Sequence, residues 1–195
     1  MIDCFALLDQ PRAPWLDPVS LKEAYHRKTL QAHPDTAAPD DTRTGFAELN
    51  EAYQVLQDPK RRLHHLLELE GHAPSSTDQT VPEELHELFP AIGALTQRSS
   101  LLLEKNKIAS NALSRSLLKP QILELQKETK ELRDKIQDLL EASLAQLRQI
   151  NSRWTTNPTG EIAALPDLYF AFAYLTRWSA QLDEIAFQLS LHLSS

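Results

Sequence analysis

The chain has 195 residues, 42% hydrophobic and 24% charged, with four glycines, one cysteine and a net charge of −7. That length and balance suit a soluble protein with a substantial core, not a disordered one, and the acidic excess argues against a broadly cationic nucleic-acid surface. A single cysteine excludes an internal disulfide and any cysteine-cluster metal site.

The acidity is spread along the chain: residues 1–72 carry 8 basic and 12 acidic groups, and residues 73–195 carry 12 and 15. Any cationic feature is therefore a local patch. The start of the chain lacks the basic region of a signal peptide. The longest apolar run, Leu168 to Leu175, is eight residues and too short to cross a bilayer. The expectation is a protein of a reducing compartment, the cytoplasm or an organelle matrix, with cytoplasmic preferred, and with no membrane and no nucleic-acid partner. Scarce glycine beside abundant Leu, Glu, Gln and Ala points to an all-α fold.

In chain order, Asp3 to Asp9 forms a short apolar turn containing Cys4, expected as a buried structural thiol. Arg12-Ala13-Pro14 is a linker, and Asp17-Pro18 reads as an N-cap with proline at the first helical position. Leu21, Ala24, Tyr25 and Ala32 then share one helical face, while Lys22, His26 and Arg27 fall on the opposite face. Pro34 ends that helix. Thr36 to Thr44 reads as an exposed loop. Phe46, Leu49, Tyr53 and Leu56 form a core-facing stripe on the next helix. Asp58-Pro59 stops it and opens another, which carries the basic cluster Lys60-Arg61-Arg62 and ends at Gly71.

Residues 73–82 (APSSTDQTVP) read as a linker, separating a domain of residues 1–72 from one of 83–195. Glu83 to Phe89 predicts a short acidic helix broken or kinked at Pro90, and Gln97 to Ser116 a further helix. Leu118 to Trp154 is the longest regular segment. Its seam of Leu118, Ile122, Leu125, Thr129, Leu132, Ile136 and Leu139 steps by four and three, pauses at Ser143 and resumes at Leu147 and Ile150. Pro166-Asp167 opens the last helix, with Leu168, Phe172, Leu175, Leu182, Ile185 and Leu189 as a second seam. The two seams form a helical hairpin, and Glu83 to Ile92 completes a three-helix bundle.

Catalytic signals are missing: there is no Gly-rich phosphate loop and no nucleophile elbow. His64, His65 and His72 lack a carboxylate cluster, so no metal and no cofactor is expected. Asp40-Asp41 and Glu83-Glu84 sit where helix capping explains them. The expectation is a binding protein and not an enzyme. What remains is a docking surface: Lys22, His26 and Arg27 form a cationic stripe leading into His33-Pro34-Asp35, a rigid corner bearing an imidazole and a carboxylate.

Ala24-Tyr25, His33-Pro34-Asp35, Phe46, Leu49-Asn50-Glu51-Ala52-Tyr53, Val55-Leu56, Asp58-Pro59 and Lys60-Arg61-Arg62 together resemble the J domain of DnaJ-type co-chaperones, over about residues 2–70. The resemblance implies a helical hairpin that engages a DnaK-type chaperone and stimulates its ATP hydrolysis. It makes His33, Pro34 and Asp35 the essential triplet, with Lys22, His26 and Arg27 as the supporting face. Three positions depart from the common pattern: Lys28 replaces an apolar core residue, Ala32 an aromatic, and His26 a Lys or Arg.

Arg62, Leu66, Leu67, Leu69 and Gly71, with the linker and bundle that follow, resemble HscB-type co-chaperones of iron–sulfur cluster assembly. That resemblance implies a bundle face that binds the cluster scaffold protein. Leu85, Leu88, Phe89 and Tyr174 are its apolar candidates, beside Glu84 and Glu87. The family's Met-Glu-x-Arg-Glu segment is replaced here by Phe89-Pro90-Ala91-Ile92. Two other readings stand beside this one. One is a J protein with a different client, held by the Leu118–Trp154 arm. The other is a structural helical protein that dimerises through its seams and carries a degenerate J domain.

Overall fold

The computed structural model describes residues 2–31, 41–74 and 81–192. Among the described residues there are eight α-helices and no strand. They are α1 (Cys4–Leu7), α2 (Pro18–Gln31), α3 (Asp41–Gln57), α4 (Pro59–Leu69), α5 (Leu88–Ile108), α6 (Ala112–Trp154), α7 (Pro158–Glu161) and α8 (Leu165–Leu191). The all-α expectation holds. Two compact units result, Met1–Thr80 with Leu144–Phe170, and Val81–Ser143 with Ala171–Ser195. Helices α6 and α8 supply residues to both.

In the first unit each early helix starts and stops on a recognisable local signal. The Asp3 carboxylate accepts from the N–H groups of Phe5 and Ala6 to cap α1. Helix α1 ends with Asp9 at φ 50°. Gln10 N–H donates to the Phe5 carbonyl there at 2.8 Å, closing a Schellman-type cap on a residue type that tolerates the left-handed region. Asp17 accepts from the backbone N–H and the hydroxyl of Ser20 at 2.9 and 2.8 Å, with Pro18 first in α2. Asp58 and Pro59 do the same for α4, which closes on Gly71 at φ 75°. Its cap bonds run from His72 N–H to the Leu67 carbonyl and from Gly71 N–H to the Glu68 carbonyl. A Cβ at Gly71 would incur the left-handed strain that glycine avoids.

Helix α2 packs on α3. Leu21 and Ala24 are buried on one side, Leu49, Ala52 and Leu56 on the other. Tyr25 stacks on Tyr53 with centroids 4.4 Å apart, and its hydroxyl donates to Asn50 Oδ1. Two expectations need correction here. Helix α3 already begins at Asp41, inside the stretch read as a loop. Phe46, read as core-facing, is 46% exposed, so the buried stripe of α3 starts a turn later at Leu49. The segment 144–170 also belongs to this unit. Trp154 Nε1 donates to the Arg12 carbonyl at 2.7 Å, Trp15 N–H donates to Asn151 Oδ1 at 3.2 Å, and Arg148 lies over the Trp15 ring.

The second unit buries Leu88, Ile92, Leu95 and Leu102 of α5 with Ile122, Leu125 and Ile136 of α6, and with Leu175, Trp178, Leu182 and Leu189 of α8. Both predicted seams are therefore core. The polar interruptions in α6 are absorbed locally: the Thr129 hydroxyl donates to the Leu125 carbonyl at 2.6 Å, and the Ser143 hydroxyl to the Leu139 carbonyl at 2.8 Å. The first bundle helix differs from the expectation. Glu83–Leu85 is a single 3₁₀ turn, and α5 runs unbroken from Leu88 to Ile108. Pro90 is its third residue, where the missing N–H has no intrahelical acceptor to lose. The helix read across Gln97 to Ser116 is cut at residues 109–111, and Asn111 Oδ1 accepts from Ser114 N–H at 2.7 Å to open α6.

Candidate functional site

On α2, Lys22, His26 and Arg27 are all exposed, opposite buried Leu21 and Ala24. Tyr25 fixes the rotation of the helix through its stacking on Tyr53, so the three basic positions project away from α3. Among the described residues, neither Lys22 nor Arg27 makes an ion pair, which leaves the stripe available to an acidic surface. His33, Pro34 and Asp35, together with Ala32, lie outside the described residues, in the connection between Gln31 and Asp41. Lys28, the unusual core position, is answered from the turn after α1: its ammonium sits 2.8 Å from the Asp9 carboxylate.

The predicted basic cluster on α4 divides into two functions. Arg61 reaches Glu51 on α3 at 2.5 Å at the surface. Arg62 turns inward and is 4% exposed. It donates to the Pro14 carbonyl at 2.9 Å and to the Leu56 carbonyl at 2.5 Å. Burial lowers its pKa to about 10, partly opposed by Asp58. Arg62 thus ties the 12–14 linker and the end of α3 to α4, and belongs to no docking face. The sequence reading missed this role, for which the buried Leu63, Leu66 and Leu67 around it offered no distinguishing signal.

The histidines likewise take structural places. His65 is buried, stacks on Phe5 at 5.7 Å and accepts the Cys4 backbone N–H at Nε2, 3.0 Å away. Accepting there requires a neutral ring, and burial lowers the His65 pKa. Burial raises the pKa of the Cys4 thiol beside it. His64 lies 3.3 Å from Glu68 and against Tyr169, and His72 is exposed. Among the described residues no group of three metal-ligating side chains converges.

In the second unit, Leu85 and Leu88 are fully buried and so cannot present themselves to a partner. They were expected on a binding face; the alternation of a 3₁₀ turn and an α-helix turns both inward. Phe89 remains 38% exposed and meets Tyr174 and Trp178 edge-on, at 5.3 and 4.7 Å between centroids. Trp178 was not among the expected residues, although its spacing of four from Tyr174 places the two on one helical face. Glu84 and Glu87 are exposed and precede Phe89 in sequence.

Residues 6–65 match the DnaJ domain, so the helices that carry the basic stripe are those of a J domain. Over that stretch the chain carries a DnaJ-domain match, and it is HscB-like in fold along its length. Chaperone HscB from Vibrio cholerae superposes with a TM-score of 0.51 at 18% identity, covering 96% of this chain and 99% of that one. A co-chaperone HscB homologue from Paraburkholderia phymatum is 38% identical over 85 residues, 40% of this chain and 49% of its own. Chaperone protein DnaJ 2 from Aquifex aeolicus is 38% identical over 71 residues, 36% of this chain. The matched stretches span 49% and 18% of those two relatives' own lengths.

Proposed function

We propose that the protein is a co-chaperone whose J domain binds a DnaK-type chaperone and stimulates its ATP hydrolysis, with no catalytic site of its own. The observation that carries this reading is the exposed stripe of Lys22, His26 and Arg27, with no ion pair at Lys22 or Arg27 among the described residues, which in sequence precedes His33-Pro34-Asp35 within a DnaJ-domain match. A cationic face favours an acidic partner and speeds its encounter at low salt. The HscB-like fold supports a second step: the C-terminal bundle presents a client, the iron–sulfur cluster scaffold protein, to that chaperone. The exposed edge of Phe89 with Tyr174, preceded in sequence by Glu84 and Glu87, is the contact surface for it.

Two captures test the two steps separately. Immobilised protein retains a DnaK-type chaperone in ATP, and Arg27→Glu with Lys22→Glu releases it. Immobilised protein also retains purified scaffold protein, and Phe89→Asp abolishes that retention without affecting the first. Retention of the chaperone with no retention of scaffold would favour a J protein for a different client, the reading that the burial of Leu85 and Leu88 supports. Loss of neither interaction in these variants contradicts the assigned surfaces.

A further inference from the structure

Most histidines of this chain have a ring partner. His65 accepts the Cys4 N–H at 3.0 Å, and His64 lies 3.3 Å from the Glu68 carboxylate. The His86 ring is 3.0 Å from the Val81 carbonyl oxygen, and the His192 ring is 2.9 Å from the Asn106 amide. His26 differs. Its side chain is exposed and lies beside the Tyr25 ring, with centroids 5.6 Å apart. Among the described residues its imidazole makes no hydrogen bond and no ion pair. It also stands inside the docking stripe, one turn from Lys22 and next to Arg27.

The charges facing His26 set the sign of its response to pH. On α2 its neighbours are Lys22 at i−4, Glu23 at i−3, Arg27, and the apolar Leu30 at i+4. On α3, which packs against α2, Tyr53 stacks on Tyr25 and Asn50 accepts from the Tyr25 hydroxyl. Glu51 of α3 is taken by Arg61, and neither it nor Glu48 pairs with His26. Asp9, in the turn after α1, is taken by Lys28. The free stripe thus offers the imidazole the cations Lys22 and Arg27 and no paired carboxylate. An acidic partner surface laid across the stripe supplies that carboxylate, and an ion pair with it forms only when the ring is charged. The complex therefore holds the proton more tightly than the free chain, so docking takes up a proton. Docking tightens as pH falls through the range in which an imidazole charges, about pH 8 to about pH 5.

We propose that His26 makes docking on α2 proton-linked: an acidic surface of the chaperone binds the stripe more tightly when the His26 imidazole is charged. This regulation rests on the co-chaperone reading above. The test is fluorescence anisotropy of the labelled full chain with a DnaK-type chaperone in ATP, at about pH 8 and about pH 6. The parent is compared with His26→Gln, which stays neutral, and His26→Lys, which is charged at both values. His33 and the chaperone's own groups titrate in all three, so the ratio of affinities at each pH is the readout. An added charge on an exposed face contributes a few-fold, and the parent-to-glutamine ratio is expected to rise about threefold between the two pH values. The lysine-to-glutamine ratio is expected to stay flat, and the parent's rise to shrink in high salt. Calorimetry in two buffers of different ionisation enthalpy is expected to show proton uptake on docking that His26→Gln reduces. Position 26 is exposed, and circular dichroism verifies that the variants stay folded. A parent-to-glutamine ratio that is unchanged or falls, with binding intact, overturns the proton linkage and leaves the co-chaperone reading standing. Equal proton uptake by parent and His26→Gln does the same. No binding by the parent or by His26→Lys at either pH overturns the co-chaperone reading and the linkage with it.

Discussion

Replacing Arg62 by methionine tests how the first unit is held together. The substitution keeps a long side chain in place and removes the guanidinium, leaving the Pro14 and Leu56 carbonyls without their donor. Hydrogen bonds to a charged donor contribute about 1.5–3 kcal/mol each, so the two together contribute about 3–6 kcal/mol. Against this stands the cost of burying the cation: the fall in pKa to about 10 corresponds to about 3 kcal/mol, which methionine recovers. The net expectation is a loss of about 0–3 kcal/mol in urea denaturation. Arg61→Met, which breaks only the surface pair with Glu51, is expected to cost under about 1 kcal/mol. A methionine variant at 62 more stable than the parent would refute the reasoning, because burial of the cation would then outweigh both bonds.

Three further outcomes follow from the geometry. His65 is buried and its folded pKa is depressed by burial, so its contribution to stability is present above its ordinary value of 6.5 and lost as pH falls through the folded value. His65→Gln keeps an acceptor for the Cys4 N–H but does not titrate; the drop in urea midpoint from pH 7 to pH 5 is expected to be smaller in the variant, and an equal drop contradicts the assignment. Pro120 lies inside α6 and donates no backbone bond, so Pro120→Ala is expected to raise stability by roughly 1–3 kcal/mol in thermal unfolding. Asn111 caps α6 through Ser114 N–H, and Asn111→Ala is expected to cost about 1 kcal/mol and to lower protection of the first turn in hydrogen exchange.

The parts of this fold legible in the sequence are those set by short-range rules. Asp17-Pro18, Asp58-Pro59 and Gly71 mark helix ends because capping needs only neighbours, and the seams of α6 and α8 are visible because burial repeats with the helical period. What escaped depends on residues distant in sequence. The union of Leu144–Phe170 with the first 80 residues rests on contacts such as Trp15 with Asn151, 136 residues apart. Arg62 looked like one of three surface cations until its carbonyl acceptors, one of them 48 residues away, placed it in the core. Pro90 shows the limit of a single-residue rule: it breaks a helix interior, but in the first turn of α5 it costs no hydrogen bond. For the candidate site, the stripe of Lys22, His26 and Arg27 was readable from spacing alone. The Phe89 cluster was readable only in part, because inward and outward positions around a 3₁₀ turn do not follow the α-helical period.

The most direct measurement of the central claim is single-turnover ATP hydrolysis by a DnaK-type chaperone, alone and with this protein. The account predicts acceleration by the parent chain, its loss with His33→Gln, and a severalfold reduction with Arg27→Glu. It also predicts that Phe89→Asp leaves the acceleration intact when no client is present. No acceleration by the parent, or acceleration that His33→Gln leaves unchanged, would contradict the claim that this J domain activates such a chaperone.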